Sequence, residues 1–232
     1  MKIKNNIIAH RGVFDNKLVP ENTMPAFKKA LELNYPIELD VQLTKDNILI
    51  VFHDEDLKRM ANRNEKIKDL TYNELKKIKL LDTKETIPKF EDVLKLIKDK
   101  ILIDIEIKDT KKIKETCEIL MNELKEYKNY VIKSFNPKIV RYINTNYPDV
   151  EVGYLIHNKY PNKFLDWLLK STLIINYCQP DFLAISKKLL KTKKFQKLSK
   201  KYPILVWTIK DNKEIKNDKL IYICNNLPFK KL

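Results

Sequence analysis

Glycine is almost missing from this chain of 232 residues; it occurs twice, at Gly12 and Gly153. That excludes a glycine-rich phosphate loop, which needs several residues without a Cβ where backbone meets phosphate. Cysteine is scarce as well. Cys117, Cys178 and Cys224 are an odd number and form no C-x-x-C pair, so neither a disulfide framework nor a zinc knuckle is expected, and a reducing compartment fits. Long apolar runs are absent too. The basic start Met1-Lys2-Ile3-Lys4 is followed only by Ile7-Ile8-Ala9 before His10-Arg11, too little for a signal peptide. Later runs such as Leu173-Ile174-Ile175 are far too short to span a bilayer. The expectation is a cytoplasmic protein without a transmembrane segment. No strip alternates basic with aromatic residues in the manner of single-strand binders, so nucleic acid is not expected as a partner.

The residues that are present describe ordinary globular material: 44% hydrophobic and 33% charged, with no repeat, low-complexity tract or linker. One domain over 1–232 is expected. The net charge is +15, from 46 Lys and Arg against 31 Asp and Glu. It reads either as an anion-binding surface or as a solvated lysine coat, and the spread of lysines from Lys2 to Lys231 favours the coat.

Short β-rich runs fall at 7–10, 37–43, 101–107, 130–134, 150–156, 181–185, 204–208 and 220–224. Helical patterns separate most of them: one opening at Asn22 or Thr23 with Pro25 in its first turn, one after Pro88, and others over 111–127, 137–146 and 189–201. Eight strands alternating with helices predict an α/β fold, a (β/α)8 TIM barrel. A hairpin strand over 48–52 and a charged excursion over about 55–85, with a short helix from Thr71, predict a small insertion after the second strand.

Two strands carry charge where apolar residues would be routine. In Ile37-Glu38-Leu39-Asp40-Val41 the period of two puts Glu38 and Asp40 on one face and the apolar residues on the other. Ile103-Asp104-Ile105-Glu106-Ile107-Lys108 repeats the device. Desolvated like charges repel and tend to take up protons, and a divalent cation removes that conflict. Carboxylates without thiolates describe a hard, oxygen-rich site suited to Mg²⁺ or Ca²⁺. The plainer reading is a salt-bridged interior, for example Lys108 with Glu38. Two of only three histidines tilt the balance: His10 and His53 each end a strand, at the end where barrel active sites assemble. His157 also follows a strand, but a polar Asn-Lys loop comes next, and it reads as a surface residue.

In order along the chain stand His10-Arg11-Gly12, Pro20-Glu21-Asn22-Thr23, Glu38-Leu39-Asp40-Val41, His53-Asp54, Glu106-Ile107-Lys108, Ser134-Phe135-Asn136-Pro137 and Val206-Trp207-Thr208. This succession resembles the glycerophosphodiester phosphodiesterase family over nearly the whole chain. The resemblance implies a (β/α)8 barrel with a family-specific insertion. It implies that Glu38, Asp40 and Glu106 hold one divalent cation, Mg²⁺ or Ca²⁺ with Mn²⁺ as a further option, and that His10 and His53 are the acid–base pair. Arg11 and Lys108 would touch the phosphate and Trp207 the substrate, with Glu21 and Asn22 in support.

The implied substrates are small glycerophosphodiesters such as glycerophosphocholine or glycerophosphoethanolamine, cleaved to sn-glycerol 3-phosphate and an alcohol. Two alternatives stand beside this reading. One is lysophospholipase D activity, which needs an apolar groove around Phe14, Phe135 and Trp207. The other is a non-catalytic phosphate- or lipid-surface binder, which has no need of two histidines. Two departures from the family pattern are Cys224-Asn225-Asn226-Leu227-Pro228, where a Thr-Asp-x-Pro-like turn is usual, and Asp104, where a neutral residue is common. Neither is expected to touch the catalytic set.

Overall fold

Short strands rich in β-branched residues need a neighbour on each edge and cover on each face, and this chain meets both needs by closing its sheet. The computed structural model describes residue 3, residues 6–217 and residues 219–228, so Lys2 and Lys231 lie outside the described residues. In chain order the strands are β1 (Ile7–His10), β2 (Ile37–Leu43), β3 (Leu49–Val51), β4 (Ile103–Ile107), β5 (Tyr130–Ser134), β6 (Val152–Ile156), β7 (Phe182–Ser186), β8 (Ile204–Ile209) and β9 (Ile221–Cys224). All but β3 run parallel, in the order β1-β9-β8-β7-β6-β5-β4-β2, and a β1–β2 pairing closes the ring. The (β/α)8 barrel expected from the alternating pattern is therefore present, with each expected strand end within two residues of its place. β3 pairs antiparallel with the far end of β2, as the hairpin signal predicted.

The helices are α1 (Met24–Glu32), α2 (Lys58–Ala61), α3 (Tyr72–Leu75), α4 (Phe90–Ile97), α5 (Ile113–Leu124), α6 (Pro137–Asn146), α7 (Lys163–Lys170), α8 (Thr172–Cys178) and α9 (Lys193–Leu198). Local chemistry sets several of their ends. Asn136 caps α6 by accepting from the Lys138 N–H, with Pro137 at the first helical position. Thr71 and Glu74 form a capping box on α3. Thr23 precedes α1 but does not cap it, because its hydroxyl donates to the Pro20 carbonyl instead.

Two layers of apolar packing result. Ile37, Leu39 and Val41 of β2 and Ile103, Ile105 and Ile107 of β4 meet Phe27, Phe90, Val93 and Leu120 of the surrounding helices. Inside the barrel Ile8, Val131, Leu155, Phe182, Leu205 and Ile223 fill the floor. Gly153 is required there, since a Cβ on it would stand 2.1 Å from the Phe182 ring. The excursion after β3 builds its own cluster, in which Leu57, Met60, Ile67, Leu75 and Leu80 pack on Ile50 and Phe52.

The structure corrects the helix reading in three places. The pair α7–α8 between β6 and β7 was not predicted, the helix expected over 189–201 starts only after its Thr192 cap, and that over 111–127 is shorter at both ends. Between β8 and β9 a 3-10 turn, Asn212–Glu214, replaces a barrel helix.

Candidate active site

β1 delivers His10 to the mouth of the barrel, and the next two residues turn sharply. Arg11 and Gly12 have φ of +56° and +81°, in the left-handed region. A Cβ on Gly12 would come within 2.8 Å of the Ala26 backbone, so this glycine, like Gly153, is dictated by space. The turn aims the Arg11 backbone N–H at Glu38 Oε2, 3.2 Å away. Asn22, at φ +57°, donates its N–H to the Arg11 carbonyl and its side-chain amide to Asp40 Oδ2 at 2.9 Å.

The period of two places the charges as expected. Glu38 and Asp40 of β2 point into the barrel and lie in register with Asp104 and Glu106 of β4. Glu38, Asp40 and Glu106 are all buried, and one oxygen of each falls within 4.8 Å of the others. Burial lifts the Glu106 carboxyl above its ordinary range, and the charges of Asp40 and Glu38 add to this against Lys108. For Asp40, burial works in the same direction, but Lys108 and Arg11 outweigh it and hold the carboxyl well below the usual range. Three converging hard oxygen donors, one of them made basic by its surroundings, fit a hard divalent cation.

Internal pairing differs from the expected Lys108–Glu38 contact. Lys108 Nζ bridges Glu106 at 2.7 Å and Asp40 at 3.3 Å. Glu38 pairs instead with Lys133, 3.1 Å away, whose ammonium is also held by Asp104 at 2.6 Å. Burial disfavours the Lys133 ammonium, yet Asp104, Glu38 and Glu106 more than compensate and raise its pKa. Lys133 was missed from the sequence, although Tyr130-Val131-Ile132-Lys133 puts it on the inward face with Val131.

The two histidines flank the acids with different partners. His10 Nδ1 lies 2.6 Å from Asn225 Oδ1, and its Nε2 is 3.8 Å from Glu38 Oε2. An amide oxygen only accepts, so Nδ1 carries the proton and Nε2 presents a lone pair. Burial pulls the His10 pKa down, with Glu38 opposing. His53 Nδ1 instead donates to the Asp54 carboxylate at 2.6 Å. Burial raises Asp54, but hydrogen bonds from His53 and Arg59 outweigh it and keep the carboxylate ionised. Arg59, from α2 in the insertion, also binds both oxygens of Glu21, and Glu21 in turn clasps the Arg11 guanidinium. Burial of Glu21 is overridden by these arginines, which hold its carboxyl down to about 2. No sequence signal marked Arg59.

Of the two departures from the family pattern, one touches the proposed catalytic set and the other is one residue removed from it. Asn225 holds His10, and Asp104 reaches Glu38 through Lys133.

A cavity of about 230 Å³ joins these groups, with His10, Arg11, Glu38, His53 and Glu106 on one wall and Phe135, Leu155, Trp207 and Ile223 on the other. Trp207 meets Phe135 edge-on at 5.6 Å, and its buried Nε1–H has no hydrogen-bond partner among the described residues. His157 is exposed, as predicted, yet it lines this cavity with its ring 5.6 Å from Trp207. Lys108 opens onto a neighbouring depression of about 590 Å³, which shares His53.

Similarity to known proteins agrees with this arrangement. The model of the glycerophosphoryl diester phosphodiesterase family matches residues 10–223. A glycerophosphodiester phosphodiesterase from Caldanaerobacter subterraneus subsp. tengcongensis is 42% identical over 165 residues, 66% of this chain and 67% of that one. The match thus spans about two thirds of the relative. Among solved structures, a glycerophosphodiester phosphodiesterase from Parabacteroides distasonis superposes with a TM-score of 0.78 at 26% identity, over 96% of this chain and 93% of that one. A phosphodiesterase from Oleispira antarctica, solved with its product sn-glycerol-3-phosphate, shares the fold with a TM-score of 0.81 at 22% identity, over 97% and 94%. The chain belongs to the glycerophosphoryl diester phosphodiesterase family, a family of phosphoric diester hydrolases.

Proposed function

We propose that this protein is a divalent-metal-dependent phosphodiesterase that cleaves small glycerophosphodiesters, such as glycerophosphocholine or glycerophosphoethanolamine, to sn-glycerol 3-phosphate and an alcohol. The observation that carries the reading is the asymmetry of its two histidines across one acidic cavity: an amide behind His10, a carboxylate behind His53.

Glu38, Asp40 and Glu106 are the residues that would hold the cation. When bound, it would draw charge from a phosphoryl oxygen and so ease attack on a diester monoanion. The side chains do the rest. His10, neutral and with Nε2 free, takes the proton from the attacking oxygen, which is water or the neighbouring glycerol hydroxyl; in the second case a cyclic phosphate forms as the alcohol leaves, and water then opens it to sn-glycerol 3-phosphate. His53, whose ring is held in place through Nδ1 by the Asp54 carboxylate, gives a proton to the departing alcohol. Arg11 and Lys108 add positive charge beside the phosphate, and the unpartnered Trp207 Nε1–H is a donor at the substrate wall. Glu21 and Asn22 hold the Arg11 turn and Asp40 in place.

Replacement of either histidine tests the roles. His10→Ala and His53→Ala should each lower kcat on glycerophosphocholine by about a hundredfold or more, the usual worth of a positioned acid or base. Near-normal turnover in both variants would overturn the acid–base reading.

A further inference from the structure

The amphipathic helix α7 buries none of its residues fully. Its sequence, Lys-Phe-Leu-Asp-Trp-Leu-Leu-Lys, gathers its apolar residues on one broad face, opposite Lys163, Asp166 and Lys170. Leu165, Leu168 and Leu169 are half-buried, while Phe164 and Trp167 stand 66% and 60% exposed. These two rings pack on each other, with centroids 6.3 Å apart and planes tilted by 35°. Exposed aromatic pairs of this kind are unusual on a surface without a partner.

Charge concentrates at the same place. Residues 157–201 carry eleven lysines and two aspartates, a net +9, whereas the whole chain carries +15. The excess comes from a shortage of acids, only Asp166 and Asp181, rather than from an unusual density of lysines. Lys159, Lys163, Lys170 and Lys194 line a groove of about 530 Å³ between α7 and the start of α9, with Tyr160, Trp167, Leu189 and Phe195 as its apolar part. The one acid in that groove, Asp166, is already held by Lys170 at 2.6 Å.

Location gives this patch meaning. Both segments follow the C-terminal ends of β6 and β7, so the patch rims the mouth that opens onto the candidate active site. The His157 ring bridges them, touching Trp207 of the cavity and Tyr160 of the groove. Directly across the barrel, the β1–α1 loop holds Leu18 in solvent at 82% exposure. Asp15 Oδ1 fixes that loop by accepting from the N–H groups of Lys17, Leu18 and Val19 at 2.8–3.0 Å.

We infer that the mouth of the barrel docks on an anionic lipid surface, with Phe164 and Trp167 entering the headgroup region, Leu18 touching down opposite, and Lys159, Lys163 and Lys194 of the groove facing the lipid charge. Aromatic rings beside lysine stems suit a membrane interface, where the ring is half-immersed and each ammonium reaches headgroups. A polynucleotide suits the patch less well. The stretch contains no arginine to fork onto phosphates, and the two rings are packed together rather than free to stack bases. The inference does not rest on the catalytic reading, because binding is measured without turnover.

The test is sedimentation of the full chain with vesicles of phosphatidylcholine alone, or of phosphatidylcholine mixed with phosphatidylglycerol. The expected result is binding to the anionic vesicles only, weakened by added salt. Phe164→Ser with Trp167→Ser should reduce binding by about tenfold or more, from the lost burial of two rings, while hydrolysis of a soluble glycerophosphodiester stays unchanged. In a Trp207→Phe background, emission from Trp167 should shift to the blue on adding anionic vesicles. Absence of binding, equal binding to neutral vesicles, or undiminished binding by the double variant would overturn the inference. So would a chain that ignores vesicles but binds an oligonucleotide, or that forms a dimer broken by the same two substitutions.

Discussion

His10 and His53 carry the same ring, and what distinguishes them is the atom behind Nδ1. The Asn225 amide oxygen accepts there and adds no charge, so His10 Nε2 keeps a lone pair to act as a base; behind His53 Nδ1 stands the Asp54 carboxylate. A prediction follows at this scale. Asn225→Asp puts a carboxylate behind His10 and raises its pKa, so the acid limb of kcat/KM should move to higher pH. Asn225→Ala should leave that limb near its place and lower kcat by about tenfold, the typical loss when a partner that orients a histidine is removed. A pH profile unchanged in Asn225→Asp would contradict the tautomer assignment. His10, His53 and the inward acids were legible because a period of two and a strand end dictate where they point. Asn225 was legible only as an oddity of the closing turn, since its contact with His10 spans 215 positions of sequence. Arg59 was invisible, because nothing in a charged excursion says which arginine folds back on Glu21.

At the scale of elements, β2, β4 and β5 share the burden of burying charge. Register sets acid beside acid across β2 and β4, Glu38 with Asp104 and Asp40 with Glu106, and β5 brings Lys133 beside Glu106. Lys133 is 1% exposed and ties Glu38 to Asp104. Removing one member of a buried ion pair is costly, whereas removing both is often neutral. Lys133→Met should therefore destabilise the fold by about 3–5 kcal/mol in denaturant titrations, and adding Asp104→Leu should recover most of that loss. A double variant no more stable than the single one would refute the pairing. Strand positions were readable because β-rich runs stand out between polar turns. The α7–α8 pair was not, although Asn162 and Ser171 are both N-caps. Ser171 breaks the segment into pieces of eight and seven residues, each only about two turns long, too short for the helical period to stand out.

At the scale of the whole molecule, barrel closure turns residues from β1, β2, β4, the β3 hairpin and the segment after β9 into one cavity. The fold class was legible from alternation alone, and the ordered motifs pointed to the family. The lipid-facing rim and the internal ion pairs required coordinates, because they join segments that sequence keeps far apart. Among the described residues no helix is long and apolar enough to cross a membrane, so the inferred contact with lipid is one of surface. The account depends most on Glu38, Asp40 and Glu106 acting together on a single cation. Calorimetric titration of metal-stripped protein with Mg²⁺, Ca²⁺ and Mn²⁺, run beside Glu38→Gln, Asp40→Asn and Glu106→Gln, tests this directly. The account predicts one site per chain for at least one of these ions, weakened or lost in all three variants, with turnover following occupancy. Full turnover after exhaustive chelation, or a site that survives all three substitutions, would contradict it.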